Sequence, residues 1–378
     1  MTDLFEAEAP TTTTLDLRRL QREQRRAARR KWTLIALAVG LVLVAVGATI
    51  GIGFLQSFQS QESAVADFDG AGQGTVQVIV APGDSASAIA STLFDAGVIA
   101  SPEAFIAVAL DQSDAAKSIT PGYYILQREM RAEYAFNALL DPANKEVRTV
   151  RVPEGLRLAA YYERIANALG TTTEEVAAVA ENTEALGLPA EADGNLEGWL
   201  FPSTYTFDPN VEPVDVLSTM ITTTVQLLEK YEVPADEWVE TLTMASLIER
   251  EARLDIDRPL ISSVIHNRVA IDMPLQFDST VKYISPSEGV FTTAEERAIE
   301  SPYNTYFTVG LPPAPIAGAG EKSIAAAVNP EATDYLYFVT VNFDTGETLY
   351  SDTYDGHLKN VDVMQQWVAD NSDTSDDA

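Results

Sequence analysis

Residues 244–253 read MASLIEREAR, and two glutamates, Glu249 and Glu251, close this apolar run. A carboxylic acid in an apolar cleft can keep its proton near neutral pH and give it to a leaving group. Which glutamate suits that task depends on the local backbone. On a strand the two would share a face; on a helix they point about 200° apart, at roughly 100° per residue. The apolar spacing predicts a helix over residues 235–253. Around Glu251 that helix places Leu247 at i−4, Ile248 at i−3, Met244 at i−7 and Leu254 at i+3, with Asp255 as a like charge at i+4. Apolar neighbours and a second carboxylate both favour the protonated form. Glu249 instead has Arg253 at i+4, the favourable order for a helical ion pair. Glu251 is therefore the candidate acid and Glu249 a structural or orienting carboxylate. Spacing alone leaves open that both are ordinary solvated or salt-bridged helix residues.

The rest of the composition narrows the chemistry. The chain has no cysteine, which excludes disulfides, thiol nucleophiles and Cys-ligated metals. Its two histidines, His266 and His357, are far apart in sequence, so a zinc site is not expected. No cofactor is called for. The 25 basic and 56 acidic side chains give a net charge of −31. Eight of the basic and five of the acidic ones precede residue 32, which leaves −34 beyond residue 55. Such a surface repels nucleic acid.

The framework follows from the apolar patterning. Residues 1–31 are a basic segment, and residues 33–55 contain no charge. At 1.5 Å per residue this stretch spans about 34 Å, enough for the ~30 Å bilayer core. A membrane helix over 32–55 is expected, with the arginines holding the N-terminus in the cytoplasm and the remainder outside the cell. Residues 56–74 read as a linker. TVQVIV alternates like a strand, two short helices follow with caps at Asp84 or Ser85 and at Ser101, and PGYYIL and AEYAFNALLD add a strand and a helix. This makes a small α+β module over 75–145. From 146 to 370 the pattern predicts a larger α+β domain. It includes a capping box from Thr172 to Glu175, helices over 213–231 and 235–253, a helical RPLISSVIHNRVA, and a closing strand pair around FDTG. Along LQFDSTVKY, Gln276, Asp278 and Thr280 alternate, so a strand would put them on one face. The acidic tail 371–378 is expected to be disordered.

Several phrases are familiar in this order: EGWLFPSTY (197–205), MASLIEREA (244–252), HNRV (266–269), LQFDSTVKY (275–283), SPYNTYFTVGLPPAPI (301–316) and YFVTV followed by DGHLKN. They resemble the YceG-like family of endolytic murein transglycosylases, the MltG type of the bacterial envelope, over roughly residues 75–365. The resemblance implies a LysM-like subdomain over 75–145 and a YceG-like catalytic domain over 146–370. It implies cleavage of the β-1,4 bond between N-acetylmuramic acid and N-acetylglucosamine, leaving a 1,6-anhydromuramyl end. The second glutamate of the E-x-E pattern is catalytic in the family, which lands on Glu251. The C6 hydroxyl of the sugar serves as nucleophile, so one acid suffices where ordinary glycosidases pair two carboxylates.

Further residues enter as substrate contacts or supports. Gln276, Asp278 and Thr280 offer hydrogen bonds to sugar hydroxyl and acetamido groups. Tyr303, Asn304 and Tyr306 offer amide, phenol and flat ring surfaces. Glu197 and Tyr205 are further candidates, in a stretch that Trp199, Leu200 and Phe201 mark as partly core. His357 reads as structural, and Asn267 and Arg268 as supports or a buried pairing. Ser279, Ala314 and Ser203 depart from the family's usual proline, glycine and aspartate. The expected partners are peptidoglycan glycan strands, the membrane through one helix, and penicillin-binding synthases of the wall machinery. Two other readings remain: a non-catalytic glycan-binding protein, and a muramidase that uses water.

Overall fold

A computed structural model describes residues 65–285 and 292–371. The alternation in TVQVIV becomes β1 (Gln73–Val80), and the next two helical patterns become α1 (Ala86–Asp95) and α2 (Pro102–Asp111). Ser85 and Ser101 cap them, accepting from Ala88 N at 3.2 Å and Ala104 N at 3.3 Å. Each serine satisfies an amide that the first helical turn leaves without a partner. There follow α3 (Ser113–Ala116), β2 (Gly122–Arg128), α4 (Ala132–Leu140), β3 (Lys145–Glu146) and β4 (Arg148–Arg151). Then come α5 (Leu158–Leu169), α6 (Thr173–Ala180), β5 (Thr204–Phe207), α7 (Pro213–Lys230) and α8 (Trp238–Glu251). The order continues with α9 (Asp257–Ala270), α10 (Asp278–Ile284), α11 (Ala294–Arg297), α12 (Glu321–Val328), β6 (Tyr337–Thr340), β7 (Thr348–Ser351) and α13 (Tyr354–Asn371). The described residues thus mix thirteen helices with small sheets, ordered β1–β2–β3, β4–β5 and β6–β7. None of these helices is long and apolar enough to cross a membrane. The apolar stretch 33–55, the basic segment before it and the acidic tail lie outside the described residues.

The described residues divide into two units. In one, formed by 65–74, 85–117 and 127–137, α1 packs against α2, and Leu93, Phe105 and Phe136 are buried. The rings of Phe105 and Phe136 lie 5.9 Å apart. In the other, β4 pairs antiparallel with β5, Val150 opposite Tyr205. One core gathers Val150, Ile165, Val176, Leu217 and Met220 from β4, α5, α6 and α7, with Leu200 from the loop before β5. A second gathers Trp199, Leu247, Ile248, Ile261, Ile265, Phe277 and Ile324, and fixes α8 against α9 and α12. The hairpin β6–β7 pairs Tyr337 with Ser351 and Thr340 with Thr348, and α13 packs on it.

Three local expectations are corrected. The helix carrying the glutamates stops at Glu251, because Ala252 turns to extended backbone (ψ 124°) while its N–H still bonds Ile248 O. Leu254 and Asp255 are therefore not one turn on from Glu251; Leu254 is exposed, and Asp255 pairs with Lys322 and Arg258. LQFDSTVKY is not a strand, since Asp278–Ile284 is helical. Helix α13 was not anticipated: it buries no residue fully, so its apolar stripe is faint in sequence.

Candidate active site

The end of α8 carries both glutamates, and the structure separates them. Glu249 points inward, its side chain 7 % exposed, against Arg258 on α9. The guanidinium grips it through both terminal nitrogens, Nη1 to Oε2 at 3.0 Å and Nη2 to Oε1 at 3.3 Å. Glu249 Oε2 also accepts from Ser323 Oγ at 2.8 Å and from Gly320 N at 3.1 Å. Its carboxylate thus sits at the N-terminus of α12, where free amides and the helix dipole favour a negative charge. A Cβ at Gly320 would meet the end of the Glu154 side chain, which would have to swing aside. The cation partner is Arg258, not Arg253. With α8 ended, Arg253 lies off the helical face and bonds the carbonyls of Phe343 and Asp344.

Glu251 lines an open cavity of about 520 Å³ together with Arg268, Gln276, Asp278, Tyr306, Tyr337, Tyr354 and His357. Leu275, Phe277, Phe338, Val339, Thr340, Phe343 and Met364 complete its wall. The side chain keeps an edge on this space, while burial of the carboxyl pushes its pKa up. The neighbouring Asp278 anion pushes the same way; the polar groups of Ser279 and the charge of Arg250 oppose it. The last residue of a helix also sits at the negative end of its dipole, which again disfavours a carboxylate. Ser279 stands beside Glu251, its hydroxyl buried without a hydrogen-bond partner, and a proline there would offer neither a hydroxyl nor an N–H.

Another part of the wall is built around Gln276. Its φ of 53° is left-handed and uncommon for a residue with a side chain. Its N–H is tied to Thr305 O at 3.0 Å, and buried Arg268 clamps the preceding carbonyl, Leu275 O, at 2.5 Å. Asp278 begins α10 and accepts from Tyr306 Oη at 2.7 Å and Thr292 Oγ1 at 2.8 Å. Burial and that bond to Asp278 push the Tyr306 phenol up, so it stays protonated.

The other candidates lie outside the cavity. Thr280 is fully buried, donating to Phe277 O at 2.7 Å and bonding Thr305 Oγ1 at 2.9 Å. Asn304 is also fully buried and spends its amide on the loop: Nδ2 donates to Ile299 O and Arg297 O, and Oδ1 accepts from Tyr306 N. Tyr303 packs on the Tyr283 ring at 5.0 Å, and Arg157 lies 4.4 Å over Tyr283. Tyr205 donates to Phe201 O at 2.8 Å and stacks on Phe207. Asn267 donates to the carbonyls of Thr333 and Tyr335. Sequence reasoning passed over Tyr337, Tyr354 and His357 as cavity residues. The signals available were the YFVTV phrase, which holds Tyr337, and the DGHLKN phrase, which holds His357.

Glu197 is 6 % exposed and accepts the first amide of α5, Leu158 N, at 2.9 Å. Burial pushes it up to about 7, against that hydrogen bond and Arg157. The folded protein therefore holds a proton there from about pH 4.3 upward, where the unfolded chain has released it. Stability is full below that window and is lost as pH rises through about 7. Gln at this position still accepts from Leu158. Glu197→Gln is expected to exceed wild type by about 1–3 kcal/mol at about pH 8 and to match it at about pH 4. Denaturant unfolding at the two pH values measures this, and an equal difference at both would refute it.

The mixed α/β framework thus brings the raised-pKa carboxyl of Glu251 and the carboxyl of Asp278 into one cavity with amide, phenol and aromatic groups. Residues 78–363 match the YceG-like family. The chain belongs to that family. It is similar to an endolytic murein transglycosylase of Bacillus subtilis, 34 % identical over 304 residues, covering 75 % of this chain and 83 % of that protein. An endolytic murein transglycosylase of Streptococcus pneumoniae is 28 % identical over 362 residues; the chain spans 64 % of its length. A crystal structure of a yceG-like protein from Listeria monocytogenes covers 76 % of this chain and 99 % of that one, with 30 % identity and a TM-score of 0.50.

Proposed function

We propose that this chain is an endolytic peptidoglycan transglycosylase, a carbon–oxygen lyase, with Glu251 as its acid and base. The observation that carries the reading is the Glu251 carboxyl, raised in pKa and open to a cavity. The relatives named as murein transglycosylases support the substrate class. In the first step Glu251 gives its proton to the glycosidic oxygen as the bond to C1 of N-acetylmuramic acid breaks. The C6 oxygen of that sugar then bonds C1, and its proton passes to the Glu251 carboxylate, which restores the acid. Gln276, Asp278 and Tyr306 contact or orient the sugar around this acid. Glu249 holds the end of α8, while Thr280, Asn304, Tyr303, Tyr205 and Glu197 hold the surrounding framework. Residues 32–55 anchor the chain in the membrane with 1–31 in the cytoplasm, 56–74 link it, and 75–145 form a LysM-like subdomain beside the catalytic 146–370. The enzyme then cuts nascent strands near penicillin-binding synthases.

A second reading, hydrolysis by water, draws on Asp278, whose carboxyl lines the same cavity and would serve as the second carboxylate. Mass spectrometry of products from purified glycan strands decides between them. The 1,6-anhydro end is expected, and free reducing ends would refute the transglycosylase reading.

A further inference from the structure

His357 lines the cavity that Glu251 lines, and the reaction above gives it no task. It sits one turn into α13, with its ring stacked on Tyr337 at 5.2 Å and 22° and the Tyr354 ring 6.3 Å away. Of its two ring nitrogens only Nδ1 is enclosed without a partner. Nε2 is left for the cavity. Burial and the charge of Arg268 hold the imidazole below the usual histidine range, so it is neutral at pH 7. A neutral imidazole carries one proton. With Nδ1 enclosed and lacking any acceptor, we assign that proton to Nε2, which is not enclosed. The cavity therefore receives a neutral N–H donor flanked by two aromatic rings.

We propose that His357 is a substrate-contacting residue that reads the N-acetyl group of the bound strand, donating from Nε2–H to the acetamido carbonyl oxygen. The acetamido methyl rests against the rings of Tyr337 and Tyr354. An uncharged donor beside flat apolar surface matches an acetamide, which joins a strong neutral acceptor to a methyl group. This rests on the reading of a murein strand as ligand.

The test uses His357→Phe, His357→Gln and His357→Asn, with glycan strands that are N-acetylated or chemically N-deacetylated. Phe keeps the ring against Tyr337, Gln brings an amide N–H within reach of the Nε2 position, and Asn reaches only the Nδ1 position. On acetylated strands Phe and Asn are expected to lose about tenfold in affinity and in kcat/KM, one good hydrogen bond, while Gln keeps most of both. On deacetylated strands all three should match wild type. An equal loss on both strands, or a loss shared by Gln, assigns the ring a packing role and overturns the proposal. So does a Phe variant that keeps wild-type affinity for acetylated strands. Affinities are read in the Glu251→Gln background, where strands stay uncut. Should Glu251→Gln cleave like wild type, the acid reading fails, and the acetyl preference is still read from cleavage by the His357 variants.

Discussion

Glu251→Gln is expected to lower strand cleavage by about a thousandfold, the scale of a lost general acid, without lowering the melting temperature. The substitution keeps the volume of the side chain, and its amide carries no charge to bury beside Asp278. It has no proton to give to the leaving oxygen and no carboxylate to take one from C6. Burial and Asp278 raise the pKa of the native acid, so the wild-type rate should fall as pH rises through that elevated value. Removing the Asp278 charge lowers the pKa. Asp278→Asn should therefore move the alkaline limb of the rate profile to lower pH. Product release from purified strands across pH measures both variants. Wild-type cleavage by Glu251→Gln would remove Glu251 from the reaction, and an unmoved limb in Asp278→Asn would remove Asp278 from its control.

Arg258→Ala should be the most damaging change outside the cavity. It leaves the Glu249 carboxylate, 7 % exposed, with Ser323 and Gly320 as donors but no counter-charge. Breaking one side of a buried pair costs about 3–5 kcal/mol, mostly for stranding the remaining charge. The double variant Glu249→Ala/Arg258→Ala removes that stranded charge and should be destabilised by less than the sum of the single variants. Because the pair joins α8, α9 and α12 just before Glu251, the single variant should also lose activity below its melting temperature. Denaturant unfolding of the four proteins measures the coupling, and strict additivity would show that the ion pair acts as two independent residues.

Much of the framework was legible because local rules agreed with tertiary ones. Ser85 and Ser101 cap the helices their positions predict, and Thr172 and Glu175 form the expected box. The Glu249 partner was not legible. An i+4 arginine is a fair guess only while the helix lasts, and α8 ends with neither Gly nor Pro to mark it. The alternation of Gln276, Asp278 and Thr280 misled for a related reason. Gln276 adopts a left-handed backbone fixed by Thr305, a contact made through the fold, and a short helix begins directly after it. Asn304 and Thr280 show a further limit. A polar side chain looks the same in sequence whether it faces a ligand or fastens a loop, and both of these are buried at 0 % exposure.

Helix α13 adds a consequence for biogenesis. The cavity wall runs from Glu251 through the β6–β7 hairpin to His357 and Met364, so it joins residues distant along the chain. Such pairings form late in folding, after local helices are in place. A chain emerging from the ribosome exposes Glu251 well before α13 exists, and domains take shape as their residues become available. The cavity that Glu251 lines is therefore unfinished until synthesis has passed residue 364. Until then an immature chain carries the glutamate without the cavity wall that His357 and Met364 complete.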